Sequence, residues 1–169
     1  MPNEHAMTRA KTPTLKFLFS HPAHCLALGF GAGLAPVAPG TFGTLVALPL
    51  AALLRAYAPD TVYLVAVAVA FAVGVWAADR TGRDLGVRDH GAIVWDVVVA
   101  FLLVLYFVGA DPIREAFAFL LFRLFDIVKP PPANYIDRHW HSGFGVMADD
   151  IVAAFYALLV LALWQRTFG

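Results

Sequence analysis

The stretch TVYLVAVAVAFAVGVWAA, residues 61–78, carries no charge in 18 positions. As a helix it spans about 27 Å at ~1.5 Å per residue, close to the ~30 Å hydrocarbon core of a bilayer. Its Val/Ala alternation would suit a strand, but its length favours a helix. Similar runs follow on either side. Residues 92–109 are apolar except for Asp96, residues 117–128 except for Arg123 and Asp126, and residues 151–164 carry no charge. Residues 45–54 form a shorter run in which Pro49 lies in the first turns or kinks the helix. The pattern predicts five helices, at about 44–57, 61–78, 92–108, 113–128 and 149–166.

The whole composition agrees. Of 169 residues, 60% are hydrophobic and 14% charged, against roughly 45–50% and about 25% in a soluble domain; mean hydropathy is +0.72. Helices apolar on every side belong in a large core or in lipid, and a chain of this length has no large core to offer. The expected fold class is all-α, a compact membrane-associated bundle of about five to six helices. It forms a single domain over residues 21–169, preceded by a flexible tail at 1–20. The polar start is not a secretory signal, because no apolar segment with a small-residue cleavage site follows it directly. Tyr63 and Trp76 bracket one run, Trp95 and Tyr106 the next, as aromatic residues at membrane interfaces do. Balanced charge, 12 basic and 12 acidic residues, excludes a nucleic-acid binder driven by counterion release. A single cysteine, Cys25, excludes an internal disulfide and a CxxC site. Gly31, not Arg, stands six residues after it, so a cysteine-phosphatase loop is absent.

If the helices alternate in direction, the two sides differ. One collects the N-terminal tail and residues 29–43, 79–91 and 129–148 with Arg9, Lys11, Lys16, Arg80, Arg83, Arg88, Lys129 and Arg138, eight of the twelve basic residues; the other has Arg55, Arg114 and Arg166. The positive-inside rule puts the first side in the cytoplasm. Asp79, Asp84, Asp89, Asp96, Asp126, Asp137, Asp149 and Asp150 lie on or near that same side. Carboxylates, cations and glycine turns gathered beside a membrane suit a divalent metal and a phosphate, although charges also collect wherever water is.

Four segments carry this chemistry. In GFGAGLAPVAPGTFGT, residues 29–44, Pro39-Gly40 turns the chain and Thr41 or Thr44 can cap the next helix; amides at such a start can seat a phosphate. No strand precedes the glycines, so a dinucleotide fingerprint is excluded. RDHGAIVWDVVVA, residues 88–100, places Asp96 inside an apolar helix, where an ionisable residue is a functional candidate by default. FRLFDIVKPPP, residues 122–132, sets Arg123 and Asp126 at i,i+3 on one face; a local salt bridge and a cation at a helix end explain it as well. DRHWHSGFGVMADDIVAA, residues 137–154, has Asp149-Asp150 opening the last helix, either as caps or as a hard-metal site.

In this order the four segments resemble the phosphatidylglycerophosphatase A family, over about residues 24–154. The resemblance implies an all-helical, magnesium-dependent phosphatase of the bacterial inner membrane. Such an enzyme removes phosphate from phosphatidylglycerophosphate and leaves phosphatidylglycerol. Neither a DxD pair for an aspartyl-phosphate mechanism nor a PSGH segment for a histidine nucleophile is present. The sequence departs from the family pattern at Val97, where a Glu is expected, and more mildly at Ala100 and Ser142. The expected site has Asp96, Asp126, Asp149 and Asp150 as ligands of Mg²⁺. Lys129, Arg138 and Arg123, with Gly40, Thr41 and Thr44, bind the phosphate, and His90 donates a proton to the leaving oxygen. Val97 also motivates an alternative of another class, a non-catalytic lipid-headgroup binder or assembly protein. A small transporter would need polar spans, which residues 61–78 lack.

Overall fold

The computed structural model describes residues 10–168. Eight α-helices follow in order: α1 (Leu15–Leu18), α2 (Pro22–Ala27), α3 (Pro39–Tyr57), α4 (Asp60–Leu85), α5 (Trp95–Val108), α6 (Pro112–Val128), α7 (Ala133–His139) and α8 (Gly143–Phe168), with a 3-10 segment at Gly29–Leu34. No strand occurs among the described residues. The five long helices are the five the sequence predicts, so the all-α bundle holds.

The bundle is organised around α5. Val97, Val98, Val99, Ala100, Phe101, Val104 and Leu105 are all buried, and α3, α4, α6 and α8 pack around them. This apolar helix is therefore solvated by protein. Its 14 residues reach only about 21 Å at ~1.5 Å per residue, short for a bilayer core. By length and composition α3, α4 and α8 are the helices able to cross a membrane. They leave Leu53, Val65, Val69, Trp76, Phe155 and Leu163 exposed, an outer surface that lipid satisfies and water does not.

Successive long helices run in opposite directions, which sorts the molecule into two ends. At one end Arg55, late in α3, bonds Glu115 Oε1 (2.5 Å) in α6, and donates to the carbonyls of Gly109 (2.8 Å) and Leu105. It thus satisfies the Gly109 carbonyl just past α5 and adds a second donor to that of Leu105, which already accepts the Gly109 amide. Tyr63 Oη donates to the Leu102 carbonyl (2.9 Å) nearby. At the other end lie the starts of α3, α5 and α8 and the ends of α4 and α6.

Several expectations change in detail. Helix α8 starts at Gly143, not near residue 149, because its glycines allow contacts a side chain would prevent. A Cβ at Gly143 would lie 2.1 Å from the Val75 carbonyl oxygen, and one at Gly145 1.8 Å from that of Trp140. Asp149 and Asp150 are therefore not caps: they sit within the helix, buried. Helix α3 begins at Pro39, after Ala38 in the left-handed region, so neither Thr41 nor Thr44 caps it. Helix α5 begins at Trp95 rather than 92, after a turn closed by Ile93 N to the His90 carbonyl (2.7 Å). The expected tail ends before residue 20: Lys11 N donates to the Leu85 carbonyl (3.0 Å), and Leu18 in α1 is buried. Residues 1–9 of that tail lie outside the described residues. Trp95 and Tyr63 are core residues rather than interfacial ones, and Trp95 Nε1 donates to the Ala70 carbonyl (3.0 Å).

Candidate functional site

Asp96 lies in the first turn of α5, where the helix dipole favours negative charge. Its Oδ1 accepts the Val97 amide (2.8 Å), and no cation pairs with it in the structure's ion pairs among the described residues. Asp149 and Asp150 approach from α8. The charges of Asp126 and Asp149 act on Asp96, and those of Asp96, Asp126 and Asp149 on Asp150. The four carboxylates thus form one electrostatic group, drawn from α5, α6 and α8. Asp150 Oδ2 is buried and has no hydrogen-bond partner, an arrangement that costs about 1–3 kcal/mol, more for a charged group.

Two cations border the group. Arg123 pairs with Asp126 through Nη1, three residues on in α6, both side chains being largely buried. The guanidinium also faces α3: a Cβ at Gly40 would lie 3.0 Å from Nη1 and 3.1 Å from Nη2. A side chain here would press the guanidinium back by a few tenths of an ångström. Arg123 Nε is buried without a partner. Thr44 is fully buried and donates to the Gly40 carbonyl (2.8 Å), so it holds the turn of Gly40 rather than presenting its hydroxyl. Thr41 lies half-buried in that same first turn.

Lys129 terminates α6 in the left-handed region, φ 46°, a conformation that costs a non-glycine residue about 1–2 kcal/mol. It directs Nζ onto Asp149 Oδ2 of α8 and Asp137 Oδ1 of α7, each at 2.7 Å. Burial disfavours its charge, but the two carboxylates outweigh this and hold its pKa above the ordinary range. For Asp137 burial likewise opposes ionisation, and the Lys129 bond prevails, holding it below the ordinary range. Its ionised form therefore stabilises the docking of α7 in full above about pH 3.9, and this contribution is lost as pH falls through the lowered value. Amide exchange in residues 133–139 should accordingly stay level from about pH 7 to about pH 5, after correction for the intrinsic rate, and rise only below about pH 4.

The other expected residues are more dispersed. His90 Nδ1 accepts the Ala92 amide (3.1 Å) in the turn before α5, which leaves Nε2 as its open nitrogen. Arg138 is exposed on α7, its charge acting on Asp137. Asp79 and Asp84 pair with Arg83 and Arg80 along α4, so not all eight acids converge. The structure adds two residues that the sequence reading left out of the site. Asp137 shares Lys129 with Asp149, and Asp89 lines a small pocket with Asp137, Asp149, Arg88 and Trp140. Their loop positions carry no periodic signal that ties them to α8. Val97 packs against the first turns of α3: a Cβ at Gly43 would meet its Cγ2 at 2.9 Å.

A cation is the component this donor set suits. Four carboxylates face one arginine and one lysine, and the oxygen left unpaired belongs to Asp150. Oxygen donors of this kind suit a hard divalent ion that keeps part of its water shell. Among the described residues no group of three or more acids, histidines or cysteines is placed to hold a metal ion as it stands, so an ion here would need the carboxylates to move together around it and its waters.

The family model for phosphatidylglycerophosphatase A matches residues 25–165. A phosphatidylglycerophosphatase A of Haemophilus influenzae is 41% identical over 150 residues, covering 88% of this chain and 92% of its own. One of Escherichia coli is 41% identical over 135 residues, covering 79% and 78%. A Bacteroides thetaiotaomicron relative, 34% identical over 154 residues (85% and 94%), carries a phosphatidylinositol-3-phosphatase name. No solved structure matches the chain. The chain belongs to the phosphatidylglycerophosphatase A family.

Proposed function

We propose that this protein hydrolyses the phosphate monoester of phosphatidylglycerophosphate, giving phosphatidylglycerol and inorganic phosphate, with Mg²⁺ as cofactor. The observation that carries the reading is two of the three buried side-chain atoms left without hydrogen-bond partners among the described residues: Arg123 Nε, a donor, and Asp150 Oδ2, an acceptor, the third being Thr81 Oγ1 of α4. Asp126 links them, paired with Arg123 and acting electrostatically on Asp150. A phosphate would complete the first and a cation the second. The two relatives at 41% identity carry the name of this activity.

Asp96, Asp149 and Asp150 would hold the ion, with Asp126 between it and Arg123. When bound, Mg²⁺ neutralises phosphoryl oxygens and lowers the pKa of a bound water. The chain's own residues do the rest. Arg123 offers the planar fork suited to two phosphate oxygens, and Gly40 leaves room beside it. Lys129 has three ammonium protons and commits two, to Asp137 and Asp149, which leaves one for a phosphate oxygen. Arg138, exposed at the rim, adds positive charge where the headgroup approaches. His90 Nε2 is the nitrogen able to protonate the departing glycerol oxygen. The acyl chains need not leave the bilayer, since the site lies where α5 starts and α6 ends and within the first turns of α8.

The setting we propose is the bacterial cytoplasmic membrane, with the site on the cytoplasmic side. Among the described residues, seven basic residues (Lys11, Lys16, Arg80, Arg83, Arg88, Lys129 and Arg138) belong to that end against Arg55, Arg114 and Arg166 at the other, the asymmetry the positive-inside rule describes.

The test is phosphate release from phosphatidylglycerophosphate and from phosphatidylinositol 3-phosphate, by the unsubstituted chain and by Val97→Glu. Mg²⁺-dependent release from the first lipid, in excess of the second, is expected of the unsubstituted chain. Release by Val97→Glu alone would instead establish a non-catalytic headgroup binder, and release by neither would overturn the enzyme reading.

A further inference from the structure

Beside the polar cluster, α4, α5 and α8 enclose a groove of about 590 Å³ whose lining is wholly apolar. Leu64 and Phe71 form one wall, Val99 of α5 the floor, and Phe144 and Ala148 the other wall; Trp140, just after α7, stands at the mouth. Phe144 stacks edge-on against Phe71 (5.8 Å) and packs with Trp140 (5.8 Å), so the rings fix the shape of the opening.

We propose that this groove holds one acyl chain of the lipid whose headgroup occupies the carboxylate site, with Trp140 dividing the two compartments. The inference rests on the phosphatase reading above. Three observations select the occupant. Trp140 lines both the groove and the polar pocket of Asp89, Asp137 and Asp149, so one molecule can occupy both. The α8 wall runs from Phe144 to Val152, about 12 Å at ~1.5 Å per residue, which matches the depth of one leaflet, half of a ~30 Å core. The mouth lies at the end of the bundle where the headgroup must sit, and the groove runs inward from it, as a chain attached to that headgroup would. The remainder of the lipid then lies against the exposed faces of α4 and α8. Holding one chain fixes the distance between glycerol backbone and phosphate, so the groove selects for acylated substrates over free phosphate esters.

Ala68 lines the groove from α4 and is exposed to it, so Ala68→Phe fills the space without disturbing the core. The experiment measures kcat and KM for long-chain phosphatidylglycerophosphate, for its short-chain form and for the deacylated headgroup ester. Val65→Phe is the control, on the same helix but outside the groove. Ala68→Phe is expected to raise KM for the long-chain lipid roughly tenfold or more, because each excluded methylene forfeits burial. It should leave kcat and the deacylated ester unchanged, with Val65→Phe silent throughout. An equal effect on all three substrates, no effect on any, or a change of oligomeric state with uniform loss would overturn the groove assignment. The uniform loss would instead mark the groove as a contact between copies. Failure of the unsubstituted chain to hydrolyse any of the three would overturn the phosphatase reading itself, a result distinct from these.

Discussion

Replacing Asp149 or Asp150 by Asn is expected to lower phosphate release by roughly a hundred- to thousandfold while the helical fold is retained. Asn keeps the volume of each side chain, so packing within α8 is preserved. What changes is charge. Asp150 contributes the buried oxygen that lacks a partner, and Asp149 connects the cluster to Lys129. Neutralising either leaves fewer negative ligands for a divalent ion and alters the balance of a group containing four acids, Arg123 and Lys129. The fold should tolerate this well, because relieving like-charge repulsion offsets the loss of the Lys129 bond. Circular dichroism and thermal denaturation check the fold, and phosphate release checks the chemistry. Asp79→Asn is the contrasting variant: its partner Arg83 is exposed, pairs of that kind contribute little, and activity should be unchanged.

Gly143→Ala is expected to damage fold and activity together. The added Cβ would lie 2.1 Å from the Val75 carbonyl oxygen and within 3 Å of Asp79 Cβ and N. All of this belongs to α4, most of it backbone that cannot turn aside. Helix α8 must then lift from α4, at a cost of about 3 kcal/mol on the scale of overpacked cores. The movement carries Asp149 and Asp150 away from Asp96. A lowered denaturation midpoint with reduced turnover is the expected result. Gly91→Ala is the control, since nothing lies within 4 Å of its added Cβ; it should be neutral in both measurements. A neutral Gly143→Ala would show that α8 does not depend on this approach.

These two variants also mark where the sequence was legible and where it was not. Local, periodic signals read through well. The five apolar runs became five helices, and Arg123 and Asp126 at i,i+3 became an ion pair. Signals that depend on tertiary approach did not. Gly143 and Gly145 look like a loop because glycine weakens an isolated helix, whereas here they allow α8 to meet Val75 and Trp140. Asp149-Asp150 resembled a helix start for the same reason, and their burial within α8 became visible only once that start moved. The apolar character of α5 implied lipid, although protein surrounds it, because composition alone does not separate these two solvents. Asp137 reaches Lys129 across a turn and a short helix, a spacing that no repeat announces. Val97 stands where the family resemblance implies a carboxylate; in the fold it fills the space beside Gly43 of α3.

We propose that Asp96, Asp149 and Asp150 gather around a divalent ion beside Arg123. The most direct measurement is an experimental structure of the full chain with Mn²⁺ in place of Mg²⁺, the ion being located by anomalous scattering. An ion bound by oxygens of Asp96, Asp149 and Asp150 at about 2.0–2.2 Å, with Asp126 next to it, is the expected result. An ion bound elsewhere, or an empty cluster at saturating Mn²⁺ in a chain that still releases phosphate in the presence of a chelator, would contradict it.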